Sequence, residues 1–360
     1  MNRIKGLIRE FLDNPRHFPR KAILHIYNSF HRSIPKKKLP ESFDSLLYIV
    51  QEKLGDGFLT LPFLYKLHER FPELEISVIV SKYNYELFKP IEFIHELFIY
   101  RKDHKQLFLQ LKSRDYDIFL NPRDHPSMTI LRMMKHINAK YKMGLQHNRH
   151  DKHFDVLLPN DDNRHIVEKN ALLLEKYGVN FPISPQISVI NQFESDFFKK
   201  FPNERLQNNF CINLSSGGLR RKLPVEKWIA IIDFIFKHQL SDKINLLAMT
   251  ENQADAAKIK SKFTDKIVYP IPTKNIYEAA IVINLSPILL SPDTALIHVA
   301  AAVKTPVIGL YQNKGLNLKR FMPYQAPCEI ILSPDKELEN IAIEDVCRAL
   351  MKLKNENILY

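Results

Sequence analysis

Glycine is scarce in this chain, with nine in 360 residues, and there is one tryptophan and three cysteines. Cys211, Cys328 and Cys347 are far apart and odd in number. They form neither a disulfide framework nor a metal-ligand spacing, which points to a reducing compartment. No uninterrupted apolar run reaches the ~18 residues of a membrane-crossing helix. The first residues lack the continuous apolar core of a signal peptide, so a cytoplasmic protein is expected. Neither G-x-G-x-x-G nor the Walker A pattern is present, which disfavours nicotinamide dehydrogenases and P-loop NTPases. No His/Cys cluster is found and no metal-holding Asp-x-Asp is read, so a site without metal is expected. There is no internal repeat and no low-complexity segment.

What is present is ample for folded cores. Hydrophobic residues make up 45% of a chain long enough for two compact domains. The net charge is +12, and residues 1–40 hold ten Lys or Arg against Glu10 and Asp13, a net +8. Within that segment Ile4, Leu7, Ile8, Phe11 and Leu12 recur at helical spacing. A basic amphipathic helix reads as an element drawn to an anionic membrane surface, or as a packed helix with a solvated basic face. No nucleic-acid-binding motif accompanies it, so no nucleic-acid partner is expected.

From Ser45 onward short β-rich runs alternate with helical stretches. Strands are expected at 45–51, 75–81, 116–121 and 139–145, and helices at 58–71 and 165–178. After Pro182 and Pro185 a second series follows: strand 210–214, helix 225–238, strand 244–248, helix 252–262, strand 267–269, helix 275–282 and strand 287–290. Such alternation predicts parallel sheets wound on both faces, with ligands at the carboxyl ends of the strands. The expected divisions are a basic extension 1–40, domains 41–183 and 184–345, and a C-terminal helix end 346–360.

Three places carry chemistry. In "LLSPDTALIHVAAAVKTPVIGLYQ" (289–312) a strand gives way to a helix at Pro292-Asp293-Thr294, so Asp293 or Thr294 is the natural N-cap. The N–H groups of 294–297 then lack intrahelical acceptors and form an anion site, with His298 one turn on and facing the same mouth. One helix end contributes only about 0.3–2 kcal/mol, so a diphosphate needs more donors. The loop "INLSSGGLRRKLP" supplies them: Ser215 and Ser216 hydroxyls, open backbone at Gly217 and Gly218, and charge at Arg220, Arg221 and Lys222. The third place is Gly55-Asp56-Gly57 after the first strand, a turn expected to bring backbone near a ligand or to adopt positive φ.

The spaced combination resembles the glycosyltransferase family of the ADP-heptose:lipopolysaccharide heptosyltransferases, family 9. That family's Asp-Thr-Gly-x-x-His-x-Ala-Ala-Ala reads here Asp293-Thr294-Ala295-x-x-His298-x-Ala300-Ala301-Ala302, with Ala295 in place of glycine. The opening strand with its Gly-Asp turn, the phosphate loop (Leu223 where the family has Trp) and "RFMPY" (320–324) agree in order. The resemblance runs from about Ser45 to Ala349. It implies a GT-B fold, two Rossmann-like domains facing across a cleft. It also implies inverting, metal-independent transfer of heptose from ADP-heptose to an inner-core lipopolysaccharide acceptor, with no further cofactor.

Asp56 is then the base, and Ser215, Ser216, Gly217, Asp293, Thr294, Ala295 and His298 bind the donor. Counting back from Pro224 selects Arg221 as the phosphate-binding cation, whereas residue type selects Lys222. Gly55, Arg123, Arg149 and Lys152, with His150 and His153 nearby, would meet an acidic, lipid-linked glycan at the inner face of the cytoplasmic membrane. Two rivals stand beside this reading: the same chemistry on another sugar, and a non-catalytic glycan- or lipid-binding relative. Retention of Asp56 and the phosphate loop speaks against the second.

Overall fold

The computed structural model describes residues 27, 30, 32–50, 53–100, 105–147, 150–180, 183–185, 187, 189–313 and 317–356. Two six-stranded sheets carry the fold. The first contains β1 (Ser45–Ile49), β2 (Glu75–Ser81), β3 (Ile94–Tyr100), β4 (Asp115–Asn121), β5 (Asn138–Leu145) and β6 (Val156–Leu158), in spatial order β3-β2-β1-β4-β5-β6. The second contains β7 (Phe210–Asn213), β8 (Lys243–Leu247), β9 (Ile267–Ile271), β10 (Leu289–Pro292), β11 (Val307–Tyr311) and β12 (Cys328–Leu332), in order β12-β11-β10-β7-β8-β9. Every pairing is parallel. Both sheets therefore have the Rossmann winding, in which the chain builds outward from a central strand, returns, and builds the other way.

The inner strands are covered on both faces, so they read as apolar runs: Leu46, Leu47 and Tyr48 of β1 and Leu289 and Leu290 of β10 are all buried. Of the helices, those that bear on function are α1 (Leu54–Phe58), α2 (Leu61–Arg70), α3 (Ile166–Asn170), α4 (Val225–Lys237), α5 (Gln253–Lys262), α6 (Ala295–Ala302) and α7 (Ile343–Asn355). The expected helix 165–178 is interrupted at Ala171 (φ −99°, ψ 8°) and finishes at Gly178, whose φ of 76° suits a glycine.

Compactness divides the chain into two units. One takes the described residues up to 50 with Leu67–Tyr85 and Glu92–Asp161; the other takes Lys53–Lys66, Glu86–Ile91 and the chain from Asp162. The passage between them falls ahead of the proline-marked stretch, because the segment after Asp162 bonds to the second unit: Asn170 to the Leu59 carbonyl and His165 to that of Met322. Helix α7 also belongs there, burying Val346, Leu350 and Leu353 in a core with Trp228 and Ile232 of α4.

The apolar positions expected to form an N-terminal amphipathic helix lie outside the described residues. Tyr27 packs on the core of the first unit and stacks on His153 at 5.6 Å. Lys36 donates to the Phe154 carbonyl at 2.8 Å, and Lys37 pairs with Asp155 at 3.6 Å. Two of the extension's lysines are thus engaged with the sheet.

Candidate active site

In the second sheet the winding reverses between β7 and β10, and their carboxyl ends lie side by side. Such a switch point is where open α/β sheets bind ligands. Asn213, the last residue of β7, ties the two ends together. Its Nδ2 donates to Ser291 Oγ (2.9 Å) and Thr294 Oγ1 (3.1 Å). Its Oδ1 accepts from the Ser215 N–H (3.0 Å) and the Ser215 hydroxyl (2.6 Å). Asn213 is buried, so its amide fixes both the start of the Ser215–Lys222 loop and the N-terminus of α6. Sequence reading passed over it, although an asparagine ending an apolar strand just before Ser-Ser was the available signal.

Thr294 is the N-cap by backbone geometry (φ −137°, ψ 175°), but its side chain does not cap the first turn. The Thr294 hydroxyl serves Asn213 instead, and the Ile297 N–H bonds the Thr294 carbonyl at 3.3 Å. The open donors are therefore fewer than the four expected. Neither serine hydroxyl is the free donor expected of it, since Ser215 donates to Asn213 and Ser216 to the Gly218 carbonyl at 3.2 Å. These bonds shape the loop. Gly218, at φ 145°, occupies a conformation closed to side chains.

The structure separates the three loop cations. Arg221 Nη1 donates to the Asp293 carbonyl (3.0 Å) and pairs with the Asp293 carboxylate (3.0 Å), while Nε donates to Gln312 Oε1 (3.3 Å). Lys222 points to Asp255 of α5 at 2.8 Å, and Arg220 to Glu337 at 3.2 Å. Only Arg221 stands beside the first turn of α6. Two hydrogen bonds and the ion pair hold its guanidinium in place. A fixed guanidinium edge next to a helix N-terminus suits a phosphate.

Gly55 packs on that same turn. A Cβ at Gly55 would lie 3.7 Å from both Ala295 Cα and His298 Cδ2, and 3.8 Å from the Ala295 methyl. The methyl that replaces the family's glycine hydrogen is accommodated by a glycine on α1. Gly55 and Gly57 are helical residues of α1, and neither has positive φ; what Gly55 permits is close approach to α6.

His298 differs from expectation. It is 6% exposed and faces α1, and its buried Nδ1 has no hydrogen-bond partner. Burial, aided by His165, pushes its pKa down to about 3, so the ring is neutral. Leu59, Val167 and Tyr324 share with it a crevice of ≈ 10 Å³, room for one water at most. An apolar helix face drew it inward.

One family model matches residues 104–350, that of glycosyltransferase family 9 (heptosyltransferase). The chain belongs to this family. This family 9 glycosyltransferase is 25% identical over 286 residues to the lipopolysaccharide core heptosyltransferase OpsX of Haemophilus influenzae, covering 75% of this chain and 80% of that one. The solved structure of the E. coli heptosyltransferase WaaC with ADP superposes at a TM-score of 0.70 with 15% identity, covering 88% of this chain and 100% of that one. The E. coli ADP-heptose lps heptosyltransferase II does so at 0.69 with 16% identity, over 87% and 99%. The fold is thus the α/β, GT-B type the signature implies. Gly55 and Asp56 precede the stretch matched by the family model.

The acceptor residues expected in the first unit of this family 9 glycosyltransferase have separate surroundings. Arg149 lies outside the described residues. Arg123, at the end of β4, is 9% exposed and its N–H bonds Asn121 Oδ1 at 3.2 Å. Lys152 is half-buried. His150 is core, bonded to the Leu145 carbonyl at 2.8 Å with its pKa lowered by burial.

The chain also contains an Asp-x-Asp that sequence reading missed, Asp115-Tyr116-Asp117 at the start of β4. Asp117 accepts from the Asp44 N–H at 2.8 Å and pairs with Lys140 at 2.6 Å, so it ties strand beginnings together at the end opposite the carboxyl termini. Among the described residues no group of three His, Cys, Asp or Glu could hold a metal.

Proposed function

We propose that this glycosyltransferase moves heptose from ADP-heptose to an inner-core lipopolysaccharide acceptor, with inversion and without a metal. The observation that carries the reading is the Arg221–Asp293 pair at the open first turn of α6, with the Asp56-bearing α1 packed against that turn through Gly55. The diphosphate would lie along Arg221 and the N-terminus of α6, which stabilise its charge as the sugar–oxygen bond breaks. Asp56 would take the acceptor hydroxyl's proton as that oxygen bonds the anomeric carbon and ADP leaves with the electron pair. The relatives' names, an ADP-heptose lipopolysaccharide heptosyltransferase and a heptosyltransferase with ADP, supply the donor and acceptor class.

A thermal-shift series tests the donor. ADP-heptose at 100 times its dissociation constant should stabilise the protein by about 2.7 kcal/mol, with UDP- and GDP-sugars giving little at the same concentration. Equal or larger shifts from UDP- or GDP-sugars would replace ADP-heptose as donor.

The acceptor class also motivates a place at the cytoplasmic face of the membrane. Among the described residues no helix is long and apolar enough to cross it. The anchoring element would be residues 1–26, whose six Lys or Arg against Glu10 and Asp13 leave a net +4. At about 1 kcal/mol per basic residue near an anionic surface, binding should be reversible and salt-sensitive. Removing these residues should abolish sedimentation with phosphatidylserine vesicles while sparing turnover on a delipidated acceptor. Undiminished sedimentation of the shortened protein contradicts the membrane role.

A further inference from the structure

The backbone breaks helical pairing directly after Asp56. The Thr60 N–H bonds the Gly57 carbonyl (3.0 Å) and the Phe63 N–H bonds that of Thr60 (3.1 Å), each three residues back. A continuous helix would have sent them to the carbonyls of Asp56 and Leu59. Side chains take their place. The Thr60 hydroxyl donates to the Asp56 carbonyl at 3.0 Å. Asn170 Nδ2, from α3, donates to the Leu59 carbonyl at 3.1 Å and lies 3.4 Å from Thr60 Oγ1. Thr60 and Asn170 are 1% and 3% exposed.

A helix unbroken from Leu54 to Arg70 is closed to this chain, because Pro62 has no N–H for the Phe58 carbonyl and its ring would clash with it. Two buried polar side chains satisfy the carbonyls that the break leaves open and tie its two sides to α3, although desolvating each has a cost. The break sets α1, the turn that carries Asp56 and lays Gly55 on α6, apart from α2.

We propose that Thr60 and Asn170 are positioning residues for sugar transfer: together they hold the Asp56 turn at a fixed angle on the first turn of α6. The proposal rests on the reading of Asp56 as base. Asp56, Thr60 and Asn170 fall in the same compact unit as the diphosphate-binding elements. The effect should fall on turnover, because a small misplacement of a reacting group is costly while Arg221 and the loop are untouched.

The test compares Thr60→Val and Asn170→Leu, each close in volume to the native residue, with Thr60→Ser and Asp56→Asn. Both apolar variants should lose roughly 10- to 100-fold in kcat, keep the ADP dissociation constant, and show faster amide hydrogen exchange over residues 54–61. Thr60→Ser, which keeps the hydroxyl, should recover most of kcat. Should Asp56→Asn be inactive while both apolar variants turn over normally, the positioning role is overturned and the base reading stands. Should Asp56→Asn itself be active, the base reading falls and the positioning role with it, even if exchange over 54–61 has accelerated. A joint loss of kcat, ADP affinity and melting temperature would reduce Thr60 and Asn170 to packing residues.

Discussion

Asp56→Asn is expected to lower turnover by roughly 10²–10⁴-fold while leaving ADP affinity nearly unchanged. Inversion is a single displacement, so one group must accept the proton the acceptor hydroxyl sheds. A carboxylate is a weak base for an alcohol, and the proton therefore moves late, as the sugar acquires oxocarbenium character. Asparagine keeps the volume and a hydrogen-bonding oxygen but cannot take the proton, so the loss belongs to kcat. Donor affinity should survive because Asp56 sits on α1, whereas the Arg221–Asp293 pair lies at the mouth of α6. Rates and ADP titrations on the same preparation check both halves, and near-normal turnover would remove Asp56 from the mechanism.

Much of this was legible because the inner strands are covered on both faces. Such strands leave continuous apolar runs, and those at 75–81 and 210–214 fell within a residue of β2 and β7. Edge strand β9 was read at 267–269, but the edge strands β3 and β12 were not. β3 carries His95 and Glu96 just after its first residue, and β12 opens at Cys328-Glu329, since an edge tolerates polar residues that an interior strand excludes. At the site, residue type and spacing identified the loop and the helix start, but not which groups were already occupied. Whether Ser215 is a ligand donor or a loop brace depends on Asn213, two residues away in sequence and settled by a 2.6 Å contact. His298 looked like a mouth residue because helical periodicity gives a face, not the identity of its neighbour. The choice between Arg221 and Lys222 lay beyond counting, because it turns on Asp255, a partner 33 positions from Lys222 in the chain.

That choice yields the second large effect. Arg221→Ala should weaken ADP binding by roughly 100-fold, since a charge-assisted hydrogen bond contributes about 1.5–3 kcal/mol and each 1.4 kcal/mol is tenfold. The variant also leaves the Asp293 carboxylate without the guanidinium 3.0 Å away, next to the place where a diphosphate would lie. Lys222→Ala removes a cation already paired with Asp255 at 2.8 Å, and its effect should stay within about threefold, the size of a partly screened charge. The most direct measurement is calorimetric titration of ADP, in excess EDTA, into the native chain and these two variants. The account predicts binding to the native chain without a divalent ion, severe weakening in Arg221→Ala and near-native affinity in Lys222→Ala. Binding that requires added magnesium, or an Arg221→Ala variant that holds ADP as the native chain does, would contradict it.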